Sequence, residues 1–213
     1  MSVIRAAAAL LAAAWLAGCG GLLKSEAPTP LIYRLQAPPL GAATQPVVAT
    51  LLVALPSARS GLEGEHIVVT LPDHRQDVYA GGRWNAPLPQ VVEALLLDGL
   101  RSAGGFQAVI RERSQFGGRY LLQTEIVEFA ADYAAAGALP VVHVRLRGEV
   151  GLASSRRLLA SVEGSAAVPA AADRRREVLA AFEAAYAAAA GELIAAVDAA
   201  ALADERSAAP PAH

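Results

Sequence analysis

The 213-residue chain has a single cysteine, Cys19. One thiol excludes an intrachain disulfide framework, a Cys-based zinc finger and a Cys-x-x-Cys redox centre. Basic excess is also missing: 18 Lys+Arg stand against 20 Asp+Glu, for a formal charge of −2. A general nucleic-acid binder carries a basic footprint, and none is present. The catalytic signatures are absent too. There is no Gly-x-Ser-x-Gly elbow, no phosphate loop, no Gly-x-Gly-x-x-Gly after a strand and no His-Glu-x-x-His. Aromatic residues make up only 5 % of the chain. What is abundant is alanine. Hydrophobic residues reach 54 % and charged ones 18 %, enough for a buried core and too apolar for wholesale disorder.

The N-terminus is laid out as an export signal. Arg5 supplies a positive start, and Ala6 to Ala17 form an uncharged apolar run. That run falls short of the roughly 20 residues a spanning helix needs. It ends Leu16-Ala17-Gly18-Cys19, which resembles the bacterial lipobox. By that resemblance residues 1–18 are a lipoprotein signal peptide. Cys19 then carries the covalent lipid, and acyl chains at about 0.8 kcal/mol per buried CH₂ anchor it to a membrane. Gly20 and Gly21 follow the cysteine instead of the aspartate that retains such lipoproteins at the inner membrane. The expected location is therefore the outer membrane, facing the periplasm, with the inner membrane as alternative. Residues 19–30, rich in Gly, Ser and Pro, read as a flexible tether.

Residues 31–203 read as one α+β domain, and 204–213 as a disordered tail. Val47 to Leu55 is a β-rich run stopped by Pro56. Ile67 to Leu71 and Asp77 to Tyr79 suggest a hairpin closed by Gly81-Gly82. Leu88, Val91, Val92, Leu95, Leu96 and Leu100 share a helical face, with Asn85 as N-cap and Glu93 and Asp98 on the solvent side. Phe106 to Arg111, Arg119 to Phe129, Val141 to Leu152 and Leu158 to Ala166 read as strands. In the third of these, Val142, Val144, Leu146 and Val150 alternate with His143, Arg145, Arg147 and Glu149. Asp173 is expected to cap a final helix with Val178, Phe182, Tyr186, Leu193 and Val197 inward and Asp198 outward. Its separated faces also suit an interfacial membrane helix, but its mixed polar face favours packing on the sheet. The architecture expected is an antiparallel or mixed sheet with two helices on one face.

Candidate sites are few. A hairpin could gather His66 and His74 with Glu63, Glu65, Asp73 and Asp77, but the spacing matches no ligand pattern and reads as a solvated hairpin. No metal and no cofactor beyond the lipid on Cys19 is expected. His143, Arg145 and Arg147 form a basic strip on one strand face, whose first reading is a solvated sheet face and whose second is contact with a partner or with acidic headgroups. Arg83 and Trp84 precede a helix; the indole suits wedging that helix onto the sheet, with ligand contact as the second reading.

The lipobox, Tyr33-Arg34-Leu35, Tyr79-Ala80-Gly81-Gly82-Arg83-Trp84 leading into Pro87-Leu88-Pro89, Leu100 to Phe106, Leu121 to Phe129 and the closing helix after Pro169 resemble one group. It is the auxiliary lipoproteins of ABC-type transporters, which includes the PqiC lipoproteins. The resemblance implies a non-catalytic envelope lipoprotein. Its partners would be an MCE-domain periplasmic protein and, through it, an ABC permease and ATPase moving lipid or another hydrophobic molecule. The alternative is a stand-alone outer-membrane assembly or structural lipoprotein. Direct lipid contact and homo-oligomerisation stay open.

Overall fold

A computed structural model describes residues 31–36, 43, 45–135 and 137–208. The expected signal peptide, Cys19 and the tether lie outside the described residues, as do residues 209–213. Leu31–His213 is one compact unit.

Among the described residues nine strands form a single mixed sheet. They are β1 (Leu31–Tyr33), β2 (Val47–Val53), β3 (Ser57–Ala58), β4 (His66–Thr70), β5 (Gln76–Trp84), β6 (Phe106–Arg111), β7 (Tyr120–Asp132), β8 (Val141–Leu152) and β9 (Arg157–Pro169). The helices are α1 (Leu88–Ala103) and α2 (Arg175–Ala208). The fold is α+β, with β7, β8 and β9 as a long antiparallel meander. Along its other edge β7 meets three shorter strands in turn, all parallel to it. Its start pairs with β2, its middle with β3 and its end with β4. β6 extends the sheet beyond β2, and β5 then β1 extend it beyond β4.

The meander follows from alternation. Val142, Val144, Leu146 and Val150 are at most 1 % exposed, while Arg145, Arg147 and Glu149 are exposed on the opposite face. A bulge at Val127 lets Ile126 and Val127 both be buried. A second irregularity, between Val150 and Gly151, shifts the pairing from Ala160 to Leu158. Leu159 thus packs with Ala160 and Val162 against the core, and Leu158 stays 55 % exposed. Strict alternation predicts Leu158 inward; the bulge reverses it.

Trp84, at the end of β5, anchors one core region. Its ring meets Phe129 and Phe182 edge-on, with centroids 5.9 and 5.4 Å apart, and the two phenyl rings stack at 5.3 Å. Strand β5 continues through Gly81 and Gly82, so these glycines do not close the hairpin. The second core region packs Val47, Leu51, Leu97, Leu100, Tyr120, Ile194 and Val197.

The helices carry four corrections. α1 is preceded by Pro87, without a side-chain cap; the Asn85 N–H bonds the Tyr33 carbonyl instead. Glu93, expected in solvent, is 2 % exposed, because Arg111 and Arg113 reach across to its carboxylate at 3.3 and 2.8 Å. Asp173 lies before α2 and accepts the Tyr133 hydroxyl at 2.8 Å. α2 runs on to Ala208, past the expected start of the tail at 204. Its last turns are latched where Arg119 and Arg157 bind Asp204 at 2.9 and 2.8 Å. α2 is long and apolar enough to cross a membrane by composition, yet half of its most apolar stretch is buried in the domain, where the helix packs on β8 and β9.

Candidate docking surface

The outer face of β7, β8 and β9 carries the sequence-predicted strip. His143, Arg145 and Arg147 are on one face, as period-two alternation demands. They do not form a free basic patch. Arg147 stands directly between Glu125 on β7 and Glu163 on β9, with nitrogen–oxygen distances of 3.3 and 3.4 Å. Arg59 reaches Glu125 from the other side at 3.6 Å. Arg145 lies 3.8 Å from Glu128, and His143 Nε2 lies 4.0 Å from Asp132. The face is a ladder of alternating charge. Each exposed pair contributes about 0.2–1 kcal/mol, and together they fix side-chain positions more than they stabilise the sheet. The carboxylate partners escaped the sequence reading because they belong to other strands. Glu125 and Glu163 could have been found only by writing the three strands in register.

Two grooves border this ladder. One, of about 330 Å³, lies among Leu55, Ser57, Gln123, Glu125, Arg147 and Glu149. The other, of about 450 Å³, has Leu52, Leu121 and Leu158 as its apolar wall, with Glu112, Arg156 and Arg157 among its polar residues. Phe116, in the loop between β6 and β7, is 78 % exposed, and Val48 on β2 is 83 % exposed.

Arg83 and Trp84 are placed differently from each other. Arg83 pairs with Glu65 at 3.1 Å and is half exposed. Trp84 is 1 % exposed and cannot meet a partner; it is a core residue. The polar hairpin does not converge. His66 opens β4, whereas His74 sits in the turn beyond its other end with φ of 60°. A five-residue strand separates them by more than about 13 Å. Among the described residues no group of three His, Cys, Asp or Glu side chains is arranged to hold a metal.

A second cluster lies where β1 and β5 meet the start of α2. Tyr33 and Arg175 border a cleft of about 530 Å³ with Arg176, Leu179, Ala180 and Glu183. Arg175 Nη2 lies 3.4 Å from the Ala80 carbonyl, and its buried Nε has no partner. Burial, then the Asp173 carboxylate, raises Tyr79 above the usual phenol range. Sequence spacing gave no sign of this cluster, since its members come from three distant segments.

The family model for ABC-type transport auxiliary lipoprotein components matches residues 33–194. The chain belongs to this family. Membership makes it an envelope-associated, periplasm-facing lipoprotein and an auxiliary of an ABC-type transporter. Among solved structures, it is similar to protein XCC0632 from Xanthomonas campestris, of family DUF330. Identity is 26 % and the TM-score 0.75, covering 83 % of this chain and 99 % of that one. The hypothetical protein CT253 from Chlamydia trachomatis shares the fold at 10 % identity and a TM-score of 0.53, with 74 % of this chain and 99 % of that one covered. The comparison with curated proteins finds no match.

Proposed function

We propose that the protein is the non-catalytic outer-membrane component of an MCE/ABC-type system that moves phospholipid or another hydrophobic molecule across the envelope. The family match over 33–194 carries this reading, and the Cys19 lipobox supports it. The chain anchors by lipid on Cys19, and its α+β body docks the periplasm-spanning MCE-domain protein. Energy comes from the ATPase at the inner membrane. The charge ladder around Arg147 supports a docking role, since a partner with complementary alternation gains register and rejects misaligned contacts.

Co-purification tests this. Tagged full-length protein, drawn from membranes in mild detergent, is expected to retain the MCE-domain protein and the permease, identified by mass spectrometry. Recovery of the tagged protein without an MCE-domain protein would overturn the assignment. Recovery undiminished by Arg145→Glu together with Arg147→Glu would move the docking surface elsewhere.

A further inference from the structure

The cleft between β1 and the start of α2 has the makings of a ligand site that docking does not use. Arg175 and Arg176 line it, and Arg174 precedes them in the chain. Many other arginines have carboxylate partners: Arg119 and Arg157 bind Asp204, Arg147 binds Glu125 and Glu163, and Arg111 and Arg113 bind Glu93, although Arg34, Arg75, Arg156 and Arg206 have none among the described residues. Among the described residues none of Arg174, Arg175 and Arg176 has a carboxylate within ion-pair distance. Two nearby carboxylates are already engaged. Asp173 accepts the Tyr133 hydroxyl, and Glu183 Oε1 accepts the Gln36 N–H at 2.9 Å. Glu177, in the same turn, is half-buried. Guanidinium groups at this end of a helix also oppose its dipole, so their placement costs stability that no internal ion pair offsets.

The walls are built for more than an anion. The Tyr33 ring packs against Gly82, where an added Cβ would lie 3.1 Å from Tyr33 Cε2. Leu179 and Ala180 supply an apolar side, and Arg175 and Arg176 the cationic one. Beside the cleft, Leu31 and Ile32 are 52 % and 60 % exposed on a three-residue edge strand. Exposed aliphatic side chains next to unpaired guanidinium groups match the boundary between acyl chains and headgroups. The chain from Cys19 to Leu31 spans at most about 40 Å fully extended, so a lipid on Cys19 keeps Leu31 within that reach of the bilayer.

We propose that the Tyr33–Arg175–Arg176–Leu179 cleft binds the phosphate-bearing headgroup of an anionic phospholipid in the membrane that anchors the protein. Arg175 and Arg176 contact the phosphate, and Leu179, Ala180 and the exposed Leu31 and Ile32 meet the glycerol and upper acyl region. The site rests on the lipoprotein reading but not on an MCE partner.

Hydrogen exchange on the full-length protein, reconstituted in vesicles, tests the site. The probes are vesicles of phosphatidylcholine alone, vesicles containing one-fifth phosphatidylglycerol, and inorganic phosphate added to the former. Phosphatidylglycerol is expected to slow exchange in residues 31–35 and 175–183 about tenfold, the effect of one charge-assisted hydrogen bond. Arg175→Gln with Arg176→Gln is expected to abolish the slowing without lowering the melting temperature, since relief of the helix dipole offsets the long Arg175–Ala80 hydrogen bond and neither side chain has a carboxylate partner. Equal exchange in both vesicles, or slowing that survives the double variant, would overturn the site. Inorganic phosphate reproducing the effect would overturn its assignment to phospholipid. Loss of MCE co-purification with the slowing intact would instead overturn the proposed function alone.

Discussion

Gly164 of β9 lies directly beneath the Ala189 carbonyl of α2. A Cβ at 164 would collide with that oxygen and lie 2.9 Å from the Leu193 amide nitrogen. The helix therefore rests on strand backbone here, and only glycine permits the approach. One strand away, a Cβ at Gly148 would lie 2.9 Å from Val162 and 3.0 Å from Leu193. Gly164→Ala is expected to cost about 1–3 kcal/mol or more, as overpacking against rigid backbone does. Gly148→Ala, meeting only side-chain termini, should cost less. Urea denaturation of the two variants measures the order; equal or negligible losses would contradict the close packing.

The second prediction concerns Glu93. Its side chain is 3 % exposed, while those of Arg111 and Arg113 are 45 % and 58 % exposed. Removal of the two partners is therefore not equivalent. Arg111→Ala with Arg113→Ala strands a buried carboxylate and should cost about 3–5 kcal/mol. Glu93→Leu returns two arginines to water and fills an apolar helix face, so its cost should be well below that. Midpoints of chemical denaturation that rank the other way would show that Glu93 is solvated.

Much of this fold is legible from the chain. β6 and β8 have the expected bounds, and the β8 alternation identifies core and solvent faces correctly, because a strand pairing on both edges enforces period two. The helical stripe of α2 is equally plain, as Val178, Phe182, Tyr186, Leu193 and Val197 are at most 2 % exposed. What alternation and spacing could not supply is long-range. Glu93 looks like a surface residue until Arg111 and Arg113 are brought over it. Leu158 looks inward until a bulge intervenes. Leu97 breaks the assumed face of α1 yet is 1 % exposed, because a second core region lies on that side. Alternation alone puts the basic strip on one face, but its neutralising carboxylates emerge only from the register of β7 and β9. The cleft at Tyr33 and Arg175 was invisible for the same reason.

Asp198 gives the third prediction. Its Oδ1 is buried without a hydrogen-bond partner, close against Gly105, and burial pushes its carboxyl up to about 6. The folded state therefore holds this proton more tightly than the unfolded chain. The linkage favours folding at low pH, weakens as pH rises from about 4 to 6, and is lost above that. Asp198→Asn removes the ionisation. The variant should melt higher than wild type at pH 7.5 and close to it at pH 4.5. A gain that is the same at both pH values would show that ionisation of Asp198 does not matter.

The last prediction is that Cys19→Ser releases the protein from the membrane without altering its domain. The thiol is the only one in the chain, so the serine variant retains no group that can form the thioether. Among the described residues, both core regions are built from side chains between Tyr33 and Leu202, well after Cys19 in the chain. Thermal melting of the variant in detergent should match that of wild type. Radiolabelled palmitate should enter the wild-type protein and not the variant. After alkaline or high-salt washing, wild type should stay with outer-membrane vesicles sedimented on a sucrose gradient, and the variant should leave them. Label incorporated into the serine variant would place the modification elsewhere. Wild-type label in the inner-membrane fraction would keep the lipid anchor and overturn the outer-membrane assignment, showing that Gly20 and Gly21 do not direct export beyond the inner membrane in this chain.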